Sequence, residues 1–520
     1  MKELQNVLVV ILFLGISTLG LCQSPGYYKN PVIGGDFPDP SVIRVGNTYY
    51  AVGTTSDFAP NYPIYESTDL VNWKQIGSVF SQIPAWASEN FWAPELYYRD
   101  GTYYVYYTAK RKGDHVSCIG VATTTDIHKG FTDRGIIVDW GKEAIDGFVF
   151  RDSDNKSYIC WKAYGLNKER PIEILASELS NDGLKMVGEH FSLTRFDEGW
   201  KGSGDEGPCL VKHGTYYYLF YSVGGCCDNR CSYQVRISRS KNLNTGWEQL
   251  PDPILQGGDT WKCPGHGTLV TTPDNRYFYM YHSYNATDFE YIGRQGMLDE
   301  LIWDETTGWP HFKNGNTPSV EAAMPFVKTK QVRDTVYSDN FSTSKYLPLW
   351  QWDLTLSKPN ITIQKGLFNL GSTEGGIAFA GLCPKTGNYT FEAEVVRHDA
   401  DFSGICIYGN SKNLLAFATN KTKLELFKIK NGEKEILAET TIAENANISL
   451  KMEVINGRMV RFFWSTNLKE WFPFSIKTET TVDGNFLPQW GVAMRTGFMT
   501  EGSKEMVGSF TSVKMKYHFK

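Results

Sequence analysis

Gly101-Thr-Tyr-Tyr-Val-Tyr-Tyr107 is one of five tyrosine-rich segments that share a pattern and decide the fold. The other copies are Asn47-Thr-Tyr-Tyr-Ala-Val-Gly53, Lys156-Ser-Tyr-Ile-Cys-Trp-Lys162, Gly214-Thr-Tyr-Tyr-Tyr-Leu-Phe220 and Asn275-Arg-Tyr-Phe-Tyr-Met-Tyr281. Each copy follows a hairpin turn signal, so each is expected to pair antiparallel with the apolar run before it. A repeat of about 50 to 60 residues is typical of propeller blades. The sequence therefore predicts an all-β chain with a five-bladed β-propeller over residues 28–325.

One polar residue recurs just upstream of each predicted hairpin. These residues are Asp39, Glu95, Asp146, Glu206 and His266. In a propeller the innermost strand of every blade lines the central channel and begins at one mouth of it. The alternative is that these are ordinary turn residues, which explains a single Asp well. It does not explain why a carboxylate returns in successive repeats, so we expect the five side chains to meet in one pocket.

The pattern changes after the fifth repeat. Residues 326–337 form a charged stretch that we interpret as a linker. Beyond it, short alternating segments such as Tyr389-Thr-Phe-Glu-Ala-Glu-Val-Val396 predict a two-sheet β-sandwich over residues 338–520. A domain of this size can fold around its own core.

Charge and the N-terminus limit the partners and the location. The net charge of -5 comes without a block or stripe of Lys and Arg, which argues against nucleic acid as a partner. Residues 1–22 combine Lys2, an apolar run and small residues, as in a secretory signal, and predict export to the periplasm or the extracellular space. Lipid anchoring at Cys22 is the alternative, but Leu21 is bulky for a lipoprotein signal. No later apolar run is long enough to span a bilayer as a helix.

The cysteines are sparse except for Cys226-Cys227-Asp-Asn-Arg-Cys231. This cluster is compatible with metal ligands, a local disulfide or a tight loop. No second Cys/His pair stands at zinc spacing, and an exported protein favours the disulfide. We interpret the other cysteines, including Cys263, as small buried hydrophobic residues.

Three of the recurring carboxylates suit glycoside hydrolysis. This reaction needs one carboxyl group to protonate the leaving oxygen and another, across the sugar, to activate water or attack. Asp39 and Glu206 belong to blades one and four, which places them across the channel. A third carboxylate, Asp146, is expected to raise the pKa of the acid by like-charge repulsion.

Four ordered motifs resemble glycoside hydrolase family 43: Phe37-Pro-Asp-Pro-Ser41, Phe91-Trp-Ala-Pro-Glu-Leu96, Ile145-Asp-Gly-Phe148 and Asp205-Glu-Gly-Pro208. The resemblance implies a five-bladed propeller and an inverting mechanism. It implies that Asp39 is the general base, that Glu206 is the general acid, and that Asp146 orients the acid and tunes its pKa. It also implies that Arg294 reaches the carboxylates or a sugar hydroxyl. His266 would lie on the central axis, where some relatives hold calcium, although no cofactor is expected to be required.

Aromatic side chains before the blade strands are candidates for stacking on a sugar, with burial in the core as the alternative. They are Phe58, Trp86, Phe91, Trp92, Trp161 and Trp261. The predicted substrate-binding set is Trp92, Glu95, Arg294, Phe58 and Trp161.

The C-terminal segment resembles the lectin-like, concanavalin-type sandwich of family 43 β-xylosidases, in some of which a loop of the sandwich closes the active site. We therefore predict an exo-acting enzyme that releases a terminal pentose from plant cell-wall polysaccharides or oligosaccharides. α-L-Arabinofuranosidase is the first choice, and β-xylosidase and exo-β-1,3-galactosidase are alternatives. The alternative from another class is a non-catalytic glycan-binding propeller, which would not require three carboxylates.

Overall fold

The computed structural model describes residues 26–165, 172–194, 205–343, 349–396, 399–420, 422–443, 447–477 and 479–519. The predicted signal segment, with Cys22, lies outside these residues. In the described part of the chain, strands dominate, and the only helical segments are a 3-10 turn at Ile127–Lys129 and α1 at Phe289–Ile292. No helix in these ranges is both long and apolar enough to cross a lipid bilayer.

The N-terminal half is a five-bladed β-propeller, as predicted. Its strands are β1 (Tyr27–Lys29), β2 (Ser41–Val45), β3 (Thr48–Val52), β4 (Phe58–Ala59), β5 (Asn61–Ser67), β6 (Lys74–Phe80), β7 (Ala87–Arg99), β8 (Thr102–Arg111), β9 (Ser117–Thr124), β10 (Thr132–Val138), β11 (Glu143–Arg151), β12 (Ser157–Tyr164), β13 (Ile172–Leu179), β14 (Phe191–Ser192), β15 (Glu206–His213), β16 (Tyr216–Val223), β17 (Gln234–Ser240), β18 (Glu248–Gln249), β19 (Trp261–Thr271), β20 (Tyr277–Asn285), β21 (Arg294–Trp303), β22 (Pro310–Phe312) and β23 (Glu321–Ala323).

Each blade is a four-stranded antiparallel sheet. Blade one is β2-β3-β5-β6, and blades two to five are β7–β10, β11–β14, β15–β18 and β19–β22. The ring is closed by the N-terminal segment, because β1 pairs with β23 and the amide of Val32 donates to the carbonyl of Gly296 in blade five. The innermost strands β2, β7, β11, β15 and β19 therefore surround one channel.

The tyrosine-rich segments are the second strands of the blades, and they pair with the innermost strands as predicted. In blade two the hairpin closes between Arg99 and Thr102, with the two intervening residues at positive φ. Such a two-residue turn matches the twist of the flanking strands. Strand β16 is buried on both faces over most of its length, because neighbouring blades cover it on either side. This explains why the second strands are continuous apolar and aromatic runs.

The C-terminal half is a two-sheet sandwich. Its strands are β24 (Val336–Asp339), β25 (Trp352–Asp353), β26 (Asn360–Gln364), β27 (Leu367–Gly371), β28 (Gly376–Leu382), β29 (Tyr389–Val396), β30 (Phe402–Asn410), β31 (Asn413–Thr419), β32 (Lys423–Lys430), β33 (Glu433–Thr441), β34 (Ile448–Ile455), β35 (Met459–Ser465), β36 (Phe472–Phe474), β37 (Val482–Asp483), β38 (Arg495–Gly502) and β39 (Val507–Tyr517).

A nine-stranded sheet and a six-stranded sheet form this sandwich. The nine-stranded sheet contains β26-β27-β39-β29-β34-β35-β36 with β24 and β37, and the other sheet is β28-β38-β30-β31-β32-β33. Side chains from both sheets, such as Phe391 and Phe417, share one core. Strand β24 begins at Val336, two residues inside the predicted linker, and it pairs with β39.

The two domains are joined by paired backbone and by a buried ion pair. Strand β25 of the sandwich pairs with β4 of the propeller. The guanidinium of Arg495 lies 3.3 Å from the carboxylate of Asp36, and both side chains are buried. The loop before β38 is thereby held against the propeller.

Candidate active site

One mouth of the channel carries five residues in the left-handed backbone conformation, one from each blade. They are Asp39 (φ 51°), Ala93 (φ 34°), Asp146 (φ 60°), Gly207 (φ 60°) and His266 (φ 39°). In blades two to five, this residue coincides with a register shift between the innermost strand and the next strand. Bulges redirect side chains out of the regular alternation, and positive φ in a residue other than glycine is costly. The recurrence of this conformation identifies these positions as a candidate site.

Blade two departs from the predicted alignment. Its left-handed residue is Ala93, whereas Glu95 lies two positions further along β7 and accepts a hydrogen bond from Ser41 Oγ at 2.6 Å. Burial raises the pKa of Glu95 to about 8, although the Ser41 bond opposes this shift. The predicted equivalence is wrong for Glu95, because the shifts in β7 displace it, and also for Glu206, which lies one position before the left-handed Gly207.

The left-handed residues are held by side chains from the preceding blade. At four of the five junctions between blades, the amide of the left-handed residue donates to a hydroxyl or imidazole of that blade. The pairs are Asp39 N to His282 Nδ1 (3.0 Å), Ala93 N to Thr54 Oγ1 (2.7 Å), Asp146 N to Thr108 Oγ1 (3.0 Å) and His266 N to Ser222 Oγ (2.8 Å). A buried amide without an acceptor is costly, so these bonds fix the backbone at the mouth.

The junction between blades three and four is different. The residue of β12 that corresponds to Thr108, Ser222 and His282 is Lys162, which lies opposite Ile145 in the strand register. An ammonium group donates hydrogen bonds but cannot accept one. The amide of Gly207 donates instead to Asp146 Oδ2 at 3.0 Å.

Asp39 is buried and surrounded by donors. Its Oδ2 accepts a hydrogen bond from Thr54 Oγ1 at 2.7 Å, and its Oδ1 lies 3.1 Å from Arg294 Nη1. Burial alone would raise the pKa of this carboxyl, but the charge of Arg294 holds the pKa well below its usual range. Asp39 is therefore ionised throughout the ordinary pH range, as a general base must be.

Asp146 has the opposite electrostatic environment. Burial raises the pKa of its carboxyl to about 6; His266 opposes this shift and the nearby Glu206 adds to it. His266 Nδ1 lies 3.8 Å from Asp146 and 3.5 Å from Asp39, so this ring stands between the two carboxylates. Gly207 leaves room for the ring, because a Cβ at Gly207 would lie 2.7 Å from His266 Cγ.

Glu206 has a strong donor on each oxygen. Its Oε2 lies 2.5 Å from Lys162 Nζ, and its Oε1 accepts a hydrogen bond from Tyr233 Oη at 2.7 Å. Burial would raise the pKa of Glu206, but the charge and hydrogen bond of Lys162 lower it. The expectation that like-charge repulsion dominates at Glu206 is wrong in this structure, because the sequence reasoning did not include Lys162.

Two disulfides hold the loop that carries Tyr233. They are Cys226–Cys227 and Cys231–Cys263, and the second joins this loop to blade five. The predicted disulfide in the cluster is confirmed for Cys226 and Cys227, whereas the interpretation of Cys263 as an unpaired hydrophobic residue is wrong. Glycine at 265 is required for the approach of Tyr233, because a Cβ there would lie 2.1 Å from its ring.

A loop of the sandwich reaches the same site. The carbonyl of Gly491 accepts a hydrogen bond from Arg294 Nη2 at 3.3 Å, while Nη1 of the same guanidinium contacts Asp39. The adjacent Trp490 is 61% exposed. The sandwich therefore contributes one side of the candidate pocket.

Four of the six predicted stacking residues are buried and have no face open to a sugar: Phe58, Phe91, Trp161 and Trp261. Trp161 is fully buried between blades two and three. Phe58 is covered at the domain interface, where the Arg495 guanidinium lies 4.5 Å from its ring centroid. The stacking prediction is wrong for all four residues, because neighbouring strands and, at Phe58, the sandwich enclose them. Trp92 is half-buried next to Ala93 and stays a candidate.

Calcium in proteins is held by a shell of oxygen ligands. Within the described ranges, no group of three or more His, Cys, Asp or Glu side chains is arranged to hold a metal ion. The imidazole Nδ1 faces Asp39 and Asp146, which suits a hydrogen-bonding role. The calcium site stays a prediction of the sequence.

The fold and site are those of a five-bladed propeller with three carboxylates at one mouth. Residues 28–310, more than half of the chain, match the sequence profile of Glycosyl hydrolases family 43. The chain belongs to this family.

Curated relatives carry several activities in their names. The chain is 29% identical over 327 residues to a xylan 1,3-beta-xylosidase of Vibrio sp, covering 57% of this chain and 59% of the relative. It also covers 59% of a beta-xylosidase of Formosa agariphila. It is 25% identical to the non-reducing end alpha-L-arabinofuranosidase BoGH43B of Bacteroides ovatus, with 99% of this chain and 94% of the relative covered.

Solved structures share the fold of both domains. A xylan beta-1,4-xylosidase from Bacillus halodurans superposes with a TM-score of 0.82 at 21% identity, covering 94% of this chain and 99% of that one. The xyloglucan-locus protein GH43B of Bacteroides ovatus gives a TM-score of 0.80 at 20% identity, covering 95% and 100%. The propeller and the sandwich thus occur together in other proteins.

Proposed function

We propose that the protein is an inverting, exo-acting glycoside hydrolase that releases a terminal pentose from plant cell-wall polysaccharides or oligosaccharides. The observation that carries this proposal is that three carboxyls with different surroundings, those of Asp39, Asp146 and Glu206, meet at one mouth of the channel. Arg294 keeps Asp39 ionised, whereas the pKa of Asp146 is raised to about 6. Carboxyls at one site that are pushed toward different protonation states are typical of acid–base catalysis.

The roles follow from the surroundings of each side chain. Asp39 takes a proton from water as the water oxygen forms a bond to the anomeric carbon. Glu206, in its protonated form, gives its proton to the glycosidic oxygen as the bond to the anomeric carbon breaks. Asp146 orients the acid through Gly207, whose amide it binds. Attack from the face opposite the leaving group inverts the anomeric centre.

Exo action is favoured by the contribution of the sandwich. The contact between Gly491 and Arg294 places a loop of the second domain against the residue that holds Asp39. A long chain threading through the site would have to pass this loop. A terminal sugar entering from the open side would not.

α-L-Arabinofuranosidase is our first choice of activity, with β-xylosidase and exo-β-1,3-galactosidase as alternatives. BoGH43B, whose match extends over 99% of this chain, is named as an alpha-L-arabinofuranosidase acting at the non-reducing end. A beta-xylosidase of Bacillus subtilis covers 87% of this chain at 26% identity, which keeps xylose as a strong alternative.

Export fits the same proposal. The disulfides Cys226–Cys227 and Cys231–Cys263 are typical of proteins in oxidising compartments. The secretory signal predicted over residues 1–22 would deliver the enzyme to such a compartment, where polymeric substrates are met.

The test is hydrolysis of 4-nitrophenyl α-L-arabinofuranoside, β-D-xylopyranoside and β-D-galactopyranoside, and of the corresponding oligosaccharides. We expect release of one monosaccharide from one of these classes and its loss in Glu206→Gln. Glu178→Gln is a matched control, because Glu178 forms an ion pair with the exposed residue Lys156. Retained glycan binding without turnover of any substrate would support the non-catalytic propeller instead.

A further inference from the structure

Lys162 lies at the one junction between blades that differs from the other four. At each of those four, one side chain accepts a hydrogen bond from the backbone amide of the left-handed residue in the next blade. These side chains are Thr54, Thr108, Ser222 and His282. Lys162 occupies the corresponding position of blade three and cannot accept. The exception lies at the junction that carries the proposed acid.

The presence of a lysine at this position has two linked consequences. The Gly207 amide is released from the usual arrangement and binds Asp146 Oδ2 at 3.0 Å. The ammonium of Lys162 reaches Glu206 Oε2 at 2.5 Å. One residue therefore determines the contacts of both Glu206 and the carboxylate beside it.

Burial makes the Lys162–Glu206 contact strong. The side chain of Lys162 is 3% exposed and that of Glu206 is 17% exposed. A buried ammonium is stable only when paired, and removal of one partner leaves an uncompensated charge. The ring of Tyr164 lies 4.3 Å from Lys162 Nζ and completes its surroundings.

Charged and titratable groups from several blades face Glu206. Lys162 and Tyr164 come from β12, Tyr233 from the disulfide-bonded loop, His266 from β19 and Asp146 from β11. Lys162 is the cation in direct contact. Asp146, if ionised, acts on Glu206 with the opposite sign.

We propose that Lys162 is a positioning residue for the acid catalyst: with Tyr233 it orients Glu206, and its charge sets the highest pH at which Glu206 keeps its proton. The catalytic part of this inference rests on the proposed function. The electrostatic part concerns the free protein and can be measured without substrate.

The direct test is a carbon-13 NMR titration of the Glu206 carboxyl in protein labelled at glutamate side chains, with the resonance assigned by Glu206→Gln. In Lys162→Met we expect the Glu206 pKa to rise by about one unit or more, because an adjacent opposite charge shifts a carboxyl by roughly 1 to 3 units. An unchanged midpoint would overturn the proposal.

Two further variants separate charge from packing. Lys162→Gln keeps a hydrogen-bond donor without the charge, so the Glu206 pKa should rise here as well; this variant also decides the matter if Lys162→Met does not fold. Lys156→Met, which removes an exposed lysine paired with Glu178, should leave the midpoint unchanged. A shift in Lys156→Met equal to that in Lys162→Gln would contradict a local effect.

The activity profile distinguishes this inference from the proposed function. In an active wild type, the alkaline limb of kcat/KM should move to higher pH in Lys162→Gln, while the acidic limb stays in place. A wild type that hydrolyses no glycoside would refute the proposed function, whereas the NMR titration would still decide the role of Lys162. An active wild type with an unmoved alkaline limb would refute the inference alone.

Discussion

The junction between blades three and four differs from the other four junctions in one side chain. Thr108, at an ordinary junction, accepts a hydrogen bond from the backbone amide of Asp146 and contributes no charge. Lys162, at the exceptional junction, contributes a charge and contacts Glu206. The comparison shows how a repeated fold gains a specialised site: the left-handed backbone conformation is common to all blades, and a charge is introduced where the usual acceptor is replaced.

Removing the acceptor of the Gly207 amide should have the largest effect on activity. In Asp146→Ala, the Gly207 amide loses its partner and the acid loses the neighbour that orients it. We expect kcat to fall about 100-fold or more, the low end of the range for general acid–base groups. Steady-state kinetics on the best glycoside measures this change, and a fall of less than tenfold would contradict the role of Asp146.

Replacing Lys162, at the junction between blades three and four, with a hydrogen-bond acceptor like those at the other junctions should have the next largest effect. In Lys162→Ser a hydroxyl returns to the acceptor position and the charge on Glu206 is lost. We expect kcat to fall about tenfold for substrates with poor leaving groups, because one charge-assisted hydrogen bond contributes about 1.5 to 3 kcal/mol.

Activated aryl glycosides provide the control for Lys162→Ser. A leaving group that needs little protonation should be hydrolysed at nearly the wild-type rate. Equal losses for poor and good leaving groups would show that the variant disturbs the site as a whole.

Loss of the acceptor at an ordinary junction should lower the stability of the protein and leave the pH dependence of its activity unchanged. Thr108→Val leaves the buried amide of Asp146 without its acceptor, which should lower the free energy of unfolding by about 1 to 3 kcal/mol. Urea unfolding measures this loss. The pH limits of kcat/KM should stay in place, and a displaced alkaline limb would remove the distinction between the two kinds of junction.

The smallest expected effect is a pH dependence of stability from Asp146. Its pKa is raised to about 6 in the folded protein, so the folded state binds more protons than the unfolded state between about pH 4 and pH 6. The stability from this group is present at low pH and falls as pH rises through that window, at no more than about 1.4 kcal/mol per pH unit. Asp146→Asn should lack this slope and Thr108→Val should keep it, as measured by urea unfolding at several pH values.

Much of the fold could be predicted from the sequence, because a turn signal and a tyrosine-rich strand recur in every blade. The same repeat places Asp39 and Asp146 at the left-handed position of their blades and Glu206 one residue before it. Glu95 was aligned wrongly, because bulges in β7 change the register and leave no mark on a simple spacing.

Lys162 lies in one of the repeated segments, but the spacing within these segments does not mark it as a residue of the site. It ends one of the tyrosine-rich segments, four residues after Tyr158, whereas Thr108 and His282 stand five residues after Tyr103 and Tyr277. Only the strand pairing shows that these positions are equivalent. The burial of Phe58 was equally hidden, since it depends on contact with a domain more than 290 residues away in sequence.

The most direct test of the account is the configuration of the first sugar released. Proton NMR during hydrolysis of the best substrate records the anomeric signal before mutarotation. Asp39 as general base and Glu206 as general acid predict that the first product has the anomeric configuration opposite to that of the substrate. A first product with the configuration of the substrate would require a covalent intermediate and would contradict the roles assigned to these two residues.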